Sequence, residues 1–283
     1  MPPEDNFRFE YANPIQRDFV WNRSTESCFD GGVGNGKTTG GLMRLLILAT
    51  EFPGSRWVVA RKFWVDLERT TQKTFFAKVC PREWYDYKRG GRNVMGFTRL
   101  INGSEILWLH LDTMDEKSLM SLEINGSFID QAEEIDGGMY EMLESRAGRW
   151  SKPDWPKACP RYTWIASNPN GHDWIYFRFH PDCSPRDYRS YFFGTTIDNL
   201  DTLYKVNPEY VDALLRKPET WKQRWIYGKR DIFAGQIHTT FSRALHVYKH
   251  NEFNPLKSRQ IVSLTGYFDY GLSAPTTLLV VAK

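Results

Sequence analysis

One stretch constrains this chain more than any other: Gly31-Gly32-Val33-Gly34-Asn35-Gly36-Lys37-Thr38. Its glycines disfavour a regular helix or strand there, because glycine loses the most conformational freedom when fixed in either. They also permit positive φ and bring backbone N–H groups close to an anion. The run fits G-x-x-x-x-G-K-[ST], in which the lysine, here Lys37, reaches the β- and γ-phosphates of a nucleotide. The following hydroxyl, here Thr38, is the one that ligates Mg²⁺. The flanks agree. Residues 27–30 read as a short strand leading in, and residues 39–50, from Thr39, as an apolar helix leading out. That helix aims its positive N-terminal dipole at the phosphates. Backbone from Gly31 through Thr39 is therefore the expected phosphate cradle.

Composition limits what surrounds this loop. At 283 residues the chain exceeds the usual size of one compact domain. A net charge of +3 leaves nucleic-acid contact to a local patch rather than to the whole surface. Cys28, Cys80, Cys159 and Cys183 are scattered with no CxxC pair, which argues against a zinc site and fits a reducing compartment. No apolar run is long enough to span a bilayer, so a soluble protein kept inside the cell that makes it is expected.

In chain order, Gln16 precedes the loop by about a helix and a strand, where its amide is a candidate for the adenine edge. Residues 56–62 read as a buried parallel strand ending in Arg61 and Lys62, candidates for sensing phosphate across the ligand crevice. Residues 66–79 have helical spacing. Lys88, Arg89, Arg92 and Arg99 lie among aromatics, a pattern that suits a nucleic-acid backbone as well as a solvated hairpin. Asn102-Gly103 marks a second hairpin. An apolar strand then ends in Asp130, the expected partner of Thr38 in holding Mg²⁺. Many ATPases place a glutamate directly after that acid; here the position is Gln131. Glu133 or Glu134, one helical turn on, is the candidate base for activating water. Residues 161–166 are a further core strand, running into Ser167-Asn168-Pro169, where Asn168 can sense a γ-phosphate by hydrogen bonding. Residues 204–215 and 219–227 read as two short helices of a lid, and residues 233–255 as a linker. A strand over 260–269 ends in Asp269, with residues 276–282 as its hairpin partner.

These residues together resemble the large terminase subunit of tailed bacteriophages, the motor that packages DNA into procapsids. The likeness rests on Pro14-x-Gln16, GGVGNGKT, Arg61-Lys62, FIDQAEEI, SNPNGHDW and GYFDYG…PTT in the family's order. It implies an α/β fold: a P-loop NTPase core of the ASCE, RecA-like kind with a mostly parallel sheet and flanking helices. A small helical lid and the first strands of a truncated RNase H-like nuclease would follow. The implied divisions are an ATPase core over 1–196, lid and linker over 197–259, and an incomplete nuclease over 260–283. Asp269 would match the first metal-binding acid of that nuclease, which uses Mg²⁺ or Mn²⁺. The implied function is ATP hydrolysis driving double-stranded viral DNA into a procapsid. Portal protein, small terminase subunit and further copies of the chain in a ring would be its partners, in the cytoplasm of the bacterial host. Two departures stand out: Gln131 replaces the usual glutamate, and Met120-Ser121 stands where relatives often carry Arg-Gly. Lys117, Arg146 and Arg149 remain open as arginine-finger substitutes. A helicase-like NTPase and a nucleotide-gated assembly module without turnover are the competing readings.

Overall fold

Every residue of β2 (Arg56–Arg61) after the first is buried, the pattern of a strand covered on both faces. The computed structural model describes residues 8–91, 94–114, 116–151, 159–183, 185–230, 264–269 and 277–282, the last two segments as backbone alone. Trp57 and Val59 enter one apolar cluster with Leu42, Leu45, Phe128 and Trp164. Val58 and Ala60 enter another with Ile129, Tyr140, Leu143 and Ile165. The two-residue alternation of a strand thus feeds two cores, one on each face.

The first of two units, Met1–Ala234, is built on an eight-stranded sheet of order β3-β4-β5-β2-β6-β7-β1-β8. Its strands are β1 (Glu26–Gly31), β2, β3 (Tyr85–Lys88), β4 (Gly96–Leu100), β5 (Glu105–His110), β6 (Gly126–Ile129), β7 (Tyr162–Ser167) and β8 (Arg189–Gly194). Six strands from β5 to β8 in that order run parallel, and β3 and β4 add an antiparallel edge. The turn at Asn102-Gly103 does join β4 to β5, with Arg99 opposite Glu105. The helices α1 (Pro14–Trp21) and α2 (Lys37–Glu51) pack on the first core through Phe19, Leu42 and Leu45. On the other face lie α4 (Glu116–Met120), α5 (Gly137–Arg146) and α6 (Trp174–Phe179), which follow the short α3 (Trp64–Asp66) in the chain.

Three local differences from the sequence reading have physical causes. The helix expected over 66–79 is present but wound with π turns at Leu67–Gln72 and Phe75–Val79. The segment expected to form two helices of a lid has three helices: α7 (Leu200–Val206), α8 (Pro208–Leu215) and α9 (Glu219–Trp225). Pro208 has no N–H for an intrahelical bond, and Asn207 caps α8 by accepting from the Tyr210 N–H at 3.1 Å. Strand β8 went unread because its side chains are only partly buried and lack a clean alternation.

The second unit is Gly235–Lys283. In it β9 (Leu264–Asp269) pairs antiparallel with β10 (Thr277–Ala282), Asp269 opposite Thr277. The expected linker over 233–255, Arg92 and the side chain of Asp269 lie outside the described residues.

Candidate functional site: a phosphate loop facing an acid-tipped strand

The glycine-rich run turns from β1 into α2. Gly36 is the N-cap of α2 with φ 88°, left-handed backbone that only glycine adopts at little cost. Farther along, a Cβ on Gly41 would fall 2.2 Å from the Phe128 ring, so glycine lets α2 lie close on β6. The Lys37 ammonium donates to the carbonyls of Gly31 (3.0 Å) and Gly32 (2.6 Å) and to Asn35 Oδ1 (3.2 Å). Burial pulls its pKa down to about 8, against the opposing fields of Asp30, Glu133 and Asp130.

Asp130 follows the last residue of β6 and meets the loop. Thr38 Oγ1 donates to its Oδ1 at 2.8 Å, and Thr71 Oγ1 donates to its Oδ2 at 2.6 Å. Thr71 lies on the first π-turn segment, so the irregular winding there supplies a side chain that orients the acid. No spacing in the sequence signalled it.

The two glutamates separate. Glu134 pairs with Arg61 (Oε1 to Nη2, 3.5 Å), and Arg61 also donates to Thr70 Oγ1 and the Asp66 carbonyl. Glu133 Oε1 accepts from Asn168 Nδ2 at 2.7 Å. Burial pushes the Glu133 carboxyl up to about 7, while hydrogen bonds from its own backbone and from Asn168, and the charge of Lys37, hold it down. Burial raises Glu134 as well, opposed by Arg61.

A cleft of about 730 Å³ runs over the loop, lined by Gln16, Lys37, Thr38, Thr39, Asp130, Gln131 and Asn168 among others. Val33, Gly34, Asn35 and Gly36 contribute its floor. Arg61, a candidate for sensing phosphate, is not among the residues lining this cleft; its two Nη atoms are engaged by Glu134, Thr70 and the Asp66 carbonyl. Gln16 is on the wall, yet its amide already bonds within the chain. Its Oε1 accepts from the Ala12 N–H and its Nε2 donates to the Gly36 carbonyl, both at 2.7 Å.

Sequence reasoning also missed how the loop is held from the far end of the unit. Thr196 Oγ1 donates to the Val33 carbonyl (2.6 Å), the Val33 N–H donates to the Trp225 carbonyl (2.7 Å), and Asn199 Nδ2 donates to the Gly34 carbonyl (2.6 Å). Below it, fully buried Asp30 accepts from the Gly31 N–H, from Tyr191 Oη (2.7 Å) and from Arg230 Nε (2.8 Å). Arg230 also reaches the Gly171 carbonyl and Asp173, tying the loop after β7 to the base of the phosphate loop. Burial opposes the charge on Arg230, and Asp30 and Asp173 more than offset it.

Solved structures share this arrangement of elements. The large terminase of a thermophilic bacteriophage in complex with ADP superposes with a TM-score of 0.60 at 18% identity, covering 96% of this chain and 65% of that one. The large terminase ATPase domain of Thermus phage P74-26 gives 0.52 at 15% identity, covering 80% of this chain and 95% of that domain. The fold is that of the phage large terminases. The HK97 bacteriophage large terminase also superposes, with a TM-score of 0.52 at 13% identity over 79% of this chain and 51% of that one. This chain therefore spans just under two thirds of the ADP-bound terminase. No protein-family model matches the sequence, and no curated protein matches it.

Proposed function

We propose that this chain binds and hydrolyses ATP as the motor portion of a DNA-packaging terminase. The observation that carries the reading is the 2.8 Å contact between Thr38 of the glycine-rich loop and Asp130 at the tip of β6, a parallel strand set one strand away from β1 across β7. Two hard oxygen donors at that separation, facing a phosphate cradle, suit Mg²⁺, which takes few protein ligands and completes its shell with phosphates and water. When bound there, the ion would neutralise charge on the β- and γ-phosphates.

The protein's own groups then have separable roles. Loop N–H groups from Gly31 to Thr39 cradle the phosphates, and Lys37 exchanges its contacts with loop carbonyls for phosphate oxygens. Thr71 holds Asp130 in orientation. Of the two glutamates, Glu133 is the better base: it is joined through Asn168 to the cleft wall and sits near neutrality, where a base accepts a proton most effectively. Glu134 stays neutralised by Arg61. Asn168 is the contact through which a change at the γ-phosphate would be felt by Glu133. Gln16 buttresses the loop and retains one N–H and one lone pair for a base edge.

The wider assignment belongs to the same proposal: an ATPase core over 1–196, lid and linker over 197–259, and the opening strands of an RNase H-like nuclease from 260. Asp269 would bind Mg²⁺ or Mn²⁺ there. Double-stranded DNA, a portal protein, a small terminase subunit and other copies of the chain in a ring would be the partners, in the host cytoplasm. Among the described residues no helix is long and apolar enough to cross a membrane. Steady-state phosphate release, measured with and without duplex DNA, tests the reading. DNA-stimulated turnover without strand separation supports the motor. Strand separation would favour a helicase, and nucleotide binding with no phosphate release would sink the hydrolytic reading.

A further inference from the structure

Among the described residues, Gln131 is the one non-glycine with positive φ, 51°. Left-handed backbone is unfavourable for a residue with a Cβ, and where it persists the surroundings must compensate. Gln131 directly follows Asp130 and lines the cleft beside Lys37, Thr38 and Asn168. Its Oε1 is buried and accepts no hydrogen bond. Two residues on, Glu133 presents a second buried acceptor without a donor, Oε2, its other oxygen being taken by Asn168. Gln131 is on the cleft wall, and Glu133 stands against it through Asn168, which is also on the wall. Buried acceptors are nearly always paired, and three lack a donor within four residues here; the third, Glu134 Oε2, belongs to the carboxylate that pairs with Arg61, which leaves Gln131 and Glu133 to share a donor beside Asp130. Of the reactants in ATP hydrolysis, water alone brings two O–H donors on one atom.

We propose that Gln131 positions the attacking water, its Oε1 accepting one O–H while the second O–H is directed at Glu133 Oε2. The proposal rests on the hydrolytic reading above and assigns the residue that touches water. The water oxygen bonds to the γ-phosphorus as the bond from that phosphorus to the β,γ-bridging oxygen breaks. The electron pair of that bond leaves with ADP, and the water's proton passes to the Glu133 carboxylate. A carboxamide cannot take up that proton, so Gln131 contributes orientation alone; a misoriented nucleophile costs rate steeply. The αL backbone is what turns the side chain toward the cleft while the following turn carries Glu133 behind it.

Replacing Gln131 by glycine separates a backbone role from a side-chain role. Glycine tolerates φ 51° better than glutamine, so the Gln131→Gly protein should unfold at the same or a higher urea concentration. It should bind ATP with KM within about twofold of the parent while kcat falls about tenfold or more. Gln131→Glu, which restores an acceptor oxygen at the same place, should recover turnover relative to the glycine variant. A glycine variant that turns over at the parental rate overturns the proposal, as does a kcat loss that Gln131→Glu fails to recover. Failure of the underlying reading looks different: the parent protein would bind ATP and release no phosphate at all.

Discussion

Replacing Glu133 by glutamine should stabilise the protein at alkaline pH and leave its stability nearly unchanged in acid. The carboxyl is pushed from its ordinary 4.5 to about 7, chiefly by burial, so the folded state binds its proton more tightly than the unfolded chain does. For an acid whose folded pKa is raised, the contribution to stability is complete below the unfolded value and is lost as pH rises to the folded one. The window is therefore pH 4.5 to about 7. At about 1.36 kcal/mol per pH unit, that interval is worth roughly 3 kcal/mol. Glutamine never ionises, yet its Oε1 can still accept from Asn168 as the carboxylate does at 2.7 Å. Wild type should thus lose up to roughly 3 kcal/mol relative to Glu133→Gln between pH 4.5 and 8, with the variant the more stable above neutrality. Urea unfolding of both proteins at pH 5 and pH 8.5 reads this difference directly. The same group predicts that kcat rises with pH through a midpoint near 7, because the base must be ionised. A stability difference between the two proteins that is equal at both pH values would refute the buried-carboxyl argument and remove Glu133 as the base.

Lys37→Ala should abolish phosphate release, since electrostatic stabilisation at the transferring phosphate is commonly worth several kcal/mol; near-normal turnover would sink the phosphate-loop assignment. Thr71→Val keeps the shape of the side chain and deletes its 2.6 Å bond to Asp130, so half-maximal turnover should need about tenfold more Mg²⁺. An unchanged Mg²⁺ titration would show that Thr71 does not orient the acid. Arg230→Ala leaves Asp30 buried without its cation and should cost about 3–5 kcal/mol in urea unfolding. A loss under about 1 kcal/mol would mean that Tyr191 and the Gly31 N–H suffice for Asp30. Asp269→Ala should leave ATP turnover at the parental rate; a substantial fall would tie that residue to the ATPase site.

What the sequence disclosed and what it hid divide along a physical line. The phosphate loop, the strand into Asp130 and the strand into Ser167 are local: glycine punctuation, apolar runs and a terminal polar residue are all contiguous, and the structure brings their ends together around one cleft. The likeness to phage terminases was legible for the same reason, through short motifs in a fixed order. What remained hidden depends on contacts across the chain. Glu133 and Glu134 are adjacent, and only the fold sends one to Asn168 and the other to Arg61. Arg61 reads as a strand-end cation facing the crevice because its partners Asp66 and Thr70 lie at the start of and on a helical segment whose π turns leave no mark in hydrophobic spacing. Thr71 and Arg230 carry no pattern at all; one is a threonine on a helix, the other an arginine after a helix. Pro208 does carry a helix-start signal, yet residues 204–215 still read as one helix with Pro208 near its start, whereas the structure begins α8 at Pro208 itself.

The contacts that went unread decide which part of the unit yields when the phosphate loop is pushed. Val33, Gly34 and Asn35 are bonded to Thr196, Trp225, Asn199 and Gly194, so the loop backbone cannot shift without moving these partners or giving up their hydrogen bonds. Each such bond contributes about 1 kcal/mol net. The sheet is the stiffer side, since β1 is buried along its whole length and carries neighbours on both edges. The helical segment over 200–225 is the softer one. Helices α7 and α9 bury no residue fully, and α8 buries only Val211 and Leu214. Elements with little buried apolar surface open at low free energy. A displacement of the glycine-rich loop would therefore pass more readily into residues 196–225, through one backbone and two side-chain hydrogen bonds, than into the strands. Arg230, just beyond α9, anchors the far end of that segment to Asp30 and Asp173, so the segment is tied to the loop and its base at both ends.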